Sequence, residues 1–163
     1  PHGTGARGER TGLHRCGLDP RHARKAPVEE PRKAMGALLG YGVRIGKPGG
    51  ALVIGEGLET LLSLRAVMPR LPLVAALSAS HLTALQLPPG VQRIYIAEDA
   101  DPAGIAAADA IEARCAVAGI AVVRLRPRRG DFNEDLLALG CRRLLRELTA
   151  QLVSQDLTRW RQD

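Results

Sequence analysis

The chain of 163 residues has almost no aromatic side chains: one Trp, one Phe and two Tyr, 2% of the sequence. A core without large rings has to be assembled from Ala, Leu, Val and Ile, and hydrophobic residues do reach 45%. That balance argues against an all-β sandwich and suits helices layered on a sheet.

Cysteine is scarce as well. Cys16, Cys115 and Cys141 are odd in number and far apart, with no Cys-x-x-Cys pair. Neither a zinc ribbon nor a disulfide framework is supported, and a reducing cytoplasm is the expected compartment. There is no apolar run long enough to span a bilayer and no signal-peptide pattern, so no membrane partner is expected. The length fits one domain with a core and a short extension. The first residue is Pro1 rather than Met, from which an upstream partner domain is expected.

What is present is positive charge, unevenly spread. Residues 1–50 carry ten Lys/Arg against four Asp/Glu, residues 51–119 four against seven, and residues 120–150 seven against four. An acidic centre between basic flanks suits a metal site that meets a polyanion, because the flanks hold phosphates while the carboxylates hold the ion. Solvated surface charge in an Arg-rich chain explains the totals equally well.

Residues 1–50 are rich in Gly, Arg and Pro, and read as a basic N-terminal extension with two or three short strands, including Thr11–His14 and Tyr41–Ile45. From Ala51 short apolar runs alternate with helical ones. Ala51–Ile54, Leu73–Leu77, Val91–Ala97 and Ile120–Leu125 read as strands. Leu58 to Val67 has helical spacing, Ser80–Leu85 a short helix with Ser80 as cap, and Pro102 opens an Ala-rich helix that Gly119 ends. Helical segments around Glu134–Leu139 and Arg142–Leu152 close the chain. The expectation is a Rossmann-like α/β domain at 51–140 with a central, mainly parallel four-stranded sheet flanked by helices, followed by a C-terminal helix at 141–163.

In such sheets ligand chemistry belongs at the carboxyl ends of the strands. Glu56 follows the first strand in Gly55-Glu-Gly57, and Asp99 and Asp101 follow the third. Acids from distant segments meeting at one sheet edge repel unless a cation lies between them, and a hard ion such as Mg²⁺ (or Mn²⁺) is the economical partner. The competing reading makes Asp99 or Asp101 a helix cap and Glu56 a surface turn acid. Asp131, after the fourth strand, would reach the same edge as a second metal position; helix capping, with Asn133 as competitor, is its alternative role. Glu98 should point to the other side of the strand end, Glu59 favours a helix dipole, and His81 reads as a hydrogen-bonded loop residue.

Arg124, Arg126, Arg128 and Arg129 cluster just before Asp131 without interleaved aromatics, a pattern that fits phosphate binding better than base stacking. Lys25, Arg32, Lys33, Arg44 and Lys47 could extend that track, and a solvated loop is the alternative.

Glu56-Gly-Leu-Glu-Thr60 after an apolar strand, followed by Asp99-Ala-Asp101-Pro-Ala-Gly104 after another, resembles the Toprim domain shared by primases, topoisomerases and some nucleases. Ala76–Ser80, Tyr95–Asp99 and Gly130–Asn133 are similar to the primase-like Toprim modules of plasmid, phage and integrative-element proteins. The stretch from Thr11 to Gly36 is similar to the region before Toprim in those proteins. The resemblance implies Mg²⁺-dependent phosphoryl chemistry on nucleic acid, with Glu56 as general acid/base or metal ligand and the Asp pair holding the ion. It also implies a single-stranded DNA template, nucleoside triphosphates as substrates, and a helicase or zinc-binding domain upstream or in trans. A Toprim nuclease and a non-catalytic nucleic-acid-binding module are the alternatives.

Overall fold

Five strands make the central sheet, one more than expected. They are β4 (Val43–Ile45), β5 (Ala51–Gly55), β6 (Leu73–Ala75), β7 (Arg93–Ala97) and β8 (Ala121–Leu125), in the order β4-β6-β5-β7-β8. This computed structural model describes residues 39–161 and the backbones of β1 (His2–Thr4), β2 (Arg10–Cys16) and β3 (Arg32–Gly36), which form a separate antiparallel sheet.

The additional strand comes from the segment read as extension. β4 runs antiparallel along β6, with Val43 opposite Ala75 and Ile45 opposite Leu73. Without it the wholly buried β6 would present an apolar edge with unpaired backbone groups, an arrangement that folded proteins avoid. The other four strands are parallel, as the alternation of short apolar and helical runs predicts.

Both faces of the sheet are covered, which is why β5 is apolar at every position rather than alternating. On one face α1 (Leu58–Val67), α4 (Phe132–Thr149) and α5 (Ser154–Trp160) pack over Val53, Leu73, Tyr95 and Leu125. On the other, α2 (Ala79–Ala84) and α3 (Pro102–Val117) cover Leu52, Ile54, Ile94 and Ile96. The Ala-rich inner face of α3, with Ala107 and Ala108 buried, lets the helix lie close to the strands.

Two local readings change and one holds. Ser78, not Ser80, caps α2, its hydroxyl accepting from the His81 backbone N–H at 3.2 Å. The two closing helical segments are both present as the two halves of α4, separated at Gly140, whose φ of +74° and ψ of 167° interrupt the helix at a position where a Cβ would be strained. α5 is an extra element, fixed to the sheet from outside its own sequence, because Asp156 is held by Arg93 and Tyr95. Among the described residues no helix is long and apolar enough to cross a membrane.

Candidate functional site

The chain leaves β5 for β6 on one side and β7 for β8 on the other. Their crossover helices α1 and α3 lie on opposite faces, so a crevice opens between the carboxyl ends of β5 and β7. Glu56 follows β5 directly, and Asp99 and Asp101 follow β7, with Gly55 and Ala97 level in the register. The third arm is the loop after β8, tied to this edge by the Ala100 N–H donating to the Gly130 carbonyl at 2.8 Å. Asp131 comes next.

Asp99 sits at the centre of this arrangement. Its Oδ1 is buried without a hydrogen-bond partner. Burial, then the like charges of Glu56, Asp131 and Asp101, push its carboxyl up to about 6. A desolvated carboxylate oxygen facing three other acids is costly by itself and becomes favourable when a cation shares the space. The donor set is all oxygen, the chemistry that Mg²⁺ and Mn²⁺ prefer. Among the described residues no three side chains close tightly enough to form a ready coordination group, so gathering these acids around one ion takes side-chain rearrangement.

The capping alternatives are also realised. Asp101 Oδ1 accepts from the Gly104 N–H at 2.7 Å and caps α3; Asp131 Oδ1 accepts from the Glu134 N–H at 2.7 Å and caps α4. Asn133 does not take that role, because its Oδ1 accepts from the Ser63 hydroxyl at 3.2 Å. Capping and metal binding do not exclude each other, since an ionised carboxylate has about four acceptor directions and one cap uses a single one. Together with α1, these helices bring three N-termini to one edge, where their partial positive charge favours carboxylates and phosphate alike.

Small residues set the distances. A Cβ on Gly104 would lie 2.5 Å from the Asp99 carbonyl oxygen, and one on Gly57 would lie 2.8 Å from Thr60 Oγ1. Thr60 is itself buried and donates to Asp131 Oδ2 at 3.4 Å, coupling the first turn of α1 to the cap of α4. Behind Glu56 the backbone is braced by the Leu77 N–H, which donates to the Glu56 carbonyl at 2.9 Å while Leu77 adopts a left-handed φ of +80°. For a branched residue that conformation costs roughly 1–2 kcal/mol, the kind of strain that collects at functional edges.

Gly104→Ala tests this spacing. Helix propensity alone would favour Ala by about 1 kcal/mol, but a backbone oxygen inside van der Waals contact should reverse the sign to a net loss of roughly 1–3 kcal/mol. Urea denaturation decides, and a more stable Ala variant would refute the close approach.

The arginines divide into two groups. Arg124 lies on the α3 face of β8, where it pairs with Glu98 at 3.0 Å, Glu112 at 2.6 Å and Asp109. Glu98 therefore does point away from the cluster, and Arg124 is engaged in tying α3 to the sheet. Arg128 donates from Nη2 to Glu147 Oε2 at 2.7 Å, while its backbone N–H donates to the buried Asp135 at 2.8 Å. Arg126 and Arg129 are exposed on the loop leading to Asp131, and no side-chain ion pair holds either of them among the described residues. Arg44 donates to the Gln86 carbonyl at 3.1 Å. Lys25 and the side chains of Arg32 and Lys33 lie outside the described residues. Thr60 and Ser63 are the unexpected residues of this edge; the available signal is small hydroxyl residues at i and i+3 on the first turns of a helix beginning there.

A doubly wound α/β sheet with carboxylates at its switch point defines the class. The family model described as "Toprim domain" matches residues 51–141, and the chain belongs to that family. A second family model, "Domain of unknown function (DUF7146)", matches residues 3–45. No curated protein sequence matches the chain. Among solved structures it is similar to the Aquifex aeolicus primase (zinc-binding and RNA polymerase domains), with TM-score 0.59 and 17% identity over 97% of this chain and 41% of that one. The primase fragment of the bacteriophage T7 primase-helicase protein gives 0.60 and 17%, over 92% of this chain and 60% of that one. The RNA polymerase domain of the Mycobacterium tuberculosis primase gives 0.55 and 19%, over 92% and 53%. The chain thus shares the fold of these primases and spans about two-fifths to three-fifths of their length.

Proposed function

We propose that this chain is a Mg²⁺-dependent, primase-like nucleotidyl-transfer module acting on single-stranded DNA with nucleoside triphosphates as substrates. The observation that carries the reading is the buried, unpartnered Asp99 Oδ1 among the charges of Glu56, Asp131 and Asp101 at the switch point of a Toprim sheet. Asp99 and Asp101 would hold the ion, with Asp131 as a further ligand on the adjoining loop. When bound, Mg²⁺ supplies charge neutralisation for the triphosphate and for the oxygens gaining charge during transfer.

The chain's own residues do the rest. Glu56, half-buried on a separate loop from the Asp pair, would take the proton from the attacking hydroxyl. Arg126 and Arg129 present guanidinium groups to phosphates beside the site, and the N-termini of α1, α3 and α4 add backbone N–H groups to the same edge. A zinc-binding or helicase domain, upstream or in trans, would supply template recognition and unwinding.

Primer synthesis on single-stranded template with nucleoside triphosphates and Mg²⁺ tests the reading. Product formation supports it. Strand scission without triphosphates would instead identify a nuclease, and salt-sensitive binding alone a non-catalytic module.

The metal assignment has a separate measurement. Calorimetry should show Mg²⁺ or Mn²⁺ binding that Asp99→Asn plus Asp101→Asn removes, while the metal-free double variant is no less stable than the parent, because two repelling charges are gone. Unchanged binding in the variant would remove the carboxylates from the metal site.

A further inference from the structure

At the far end of α1 and α4 from the carboxylates, a cleft of about 420 Å³ lies between the C-terminus of α1, the second half of α4 and the end of α5. That volume falls within the range of roughly 300–1,000 Å³ typical of ligand pockets. Its apolar wall is Val67, Met68, Pro69 and Leu145, backed by Trp160, and its rim is Arg142, Arg146 and Arg161. We infer that this cleft is a docking site for an acidic peptide segment of a partner protein that inserts an apolar side chain between the arginines.

The geometry of α4 sets the alternation. Arg142, Leu145, Arg146 and Thr149 fall at i, i+3, i+4 and i+7, one stripe of the helix, beside the buried Leu144 and Leu148 that face the core. Leu145 is left 37% exposed in the middle of that stripe. Two arginines flank it within one turn on each side. A helix needing only solubility would not place its exposed Leu between two cations facing a Met and a Pro.

Little of this charge is compensated. No carboxylate lines the cleft, and among the described residues Arg142, Arg146 and Arg161 form no ion pair. Glu147, next to Arg146 in the chain, is bonded by Arg128 and is affected only more weakly by the charges of Arg143 and Arg146. Exposed guanidinium groups around an apolar floor are complementary to Asp or Glu flanking a Leu, Met or Phe, the usual form of an anchored peptide in a helical groove.

Nucleic acid fits less well. Base stacking needs an open ring face, and the one aromatic residue of the lining, Trp160, is 3% exposed and packed edge-on against Tyr95 with centroids 5.3 Å apart. A sugar-phosphate backbone has nothing apolar to place against Met68 and Leu145. The cleft also lies about a helix length, on the order of 15 Å, from the acidic edge, so its occupancy need not interfere with chemistry there.

The full chain, titrated against a fluorescein-labelled synthetic peptide in which Leu and Phe are flanked by runs of Asp and Glu, tests the inference by fluorescence anisotropy. Saturable binding with a change in emission of Trp160, the single Trp of the sequence, is expected. Arg142→Glu plus Arg146→Glu should weaken binding at least tenfold, and Leu145→Gln should weaken it several-fold. All three positions are exposed, so folding should be preserved, which urea denaturation checks. Asp99→Asn should leave the affinity unchanged. Absence of saturable binding would overturn the inference, as would indifference to Leu145→Gln, which would reduce it to unspecific charge attraction. An oligothymidylate that binds more tightly than the peptide and loses affinity in the same Arg variant would assign the surface to nucleic acid instead.

Discussion

Glu56→Gln is expected to lower the rate of primer synthesis by roughly a hundredfold or more, the usual contribution of a positioned general base. The amide keeps the shape of the side chain and most of its hydrogen bonding, but it cannot accept a proton from the attacking hydroxyl. Asp99 and Asp101 follow a different strand, so Mg²⁺ should still bind, and the Mg²⁺ concentration giving half-maximal residual rate should stay within a few-fold of the parent's. Titrating Mg²⁺ against rate for both proteins separates the two roles open to this residue. A large shift in the Mg²⁺ midpoint, with the rate restored at high metal, would make Glu56 a ligand; a rate within threefold of the parent's would remove it from the chemistry. Loss of its charge should also ease the burden on Asp99, for which Glu56 is the largest of the three repelling neighbours.

The convergence of these acids was legible because it depends on two regularities. Buried parallel strands are apolar at nearly every position, as in Ala51–Gly55, and crossover connections bring all their carboxyl ends to one edge. Glu56, Asp99, Asp101 and Asp131 are first or second neighbours of such ends or of the helices that follow, so their meeting needed no side-chain detail. Arg124 is different. Its role depends on which face of β8 it occupies, and Ile96 opposite it marks the α3 side, where Asp109 and Glu112 wait at i and i+3 on the helix. The four arginines divide at the end of β8: Arg124 is still on the strand and is held against α3, whereas Arg126, Arg128 and Arg129 lie on the loop beyond Leu125.

The place of β4 in the central sheet escaped for another reason. A three-residue strand with Val43 as its single buried side chain carries too little pattern to show which sheet it joins, and what fixes it is the edge of β6, about thirty positions on. Ser78 and Ser80 are equally good caps by composition. Tertiary packing chooses Ser78, because Leu77 is already turned back by its hydrogen bond to Glu56. In each case the missing information was a contact made across the sheet.

α5 is the extreme case, and Asp156→Ala is expected to give the largest stability loss of any single substitution considered. Asp156 is 2% exposed on a helix of seven residues that has no side-chain cap and little apolar periodicity. Its Oδ2 accepts from Arg93 Nη1 at 2.6 Å and from the Tyr95 hydroxyl at 2.7 Å, partners 63 and 61 positions away. Tyr95 in turn accepts from the Val153 N–H at 3.2 Å, so the entry to α5 hangs on the same hydroxyl. Burial, then the bond to Asp156, pushes the Tyr95 phenol up to about 12, keeping it the neutral donor that this network needs. Removing the carboxylate leaves a half-buried guanidinium and a buried hydroxyl without their acceptor, which costs about 3 kcal/mol, the lower end of the range for a broken buried pair, because Arg93 keeps contact with water. Asp156→Asn, retaining one acceptor oxygen, should lose distinctly less. Because Trp160 packs edge-on against Tyr95, its fluorescence in a urea titration reports α5 directly, while circular dichroism reports the whole fold. Expected for the Ala variant is a Trp160 transition that shifts to lower urea and precedes the circular-dichroism transition, with α5 leaving the sheet first. A loss below about 1 kcal/mol would mean that apolar packing of Leu157 and Trp160 alone holds the helix, and that the buried ion pair contributes no more than an exposed one.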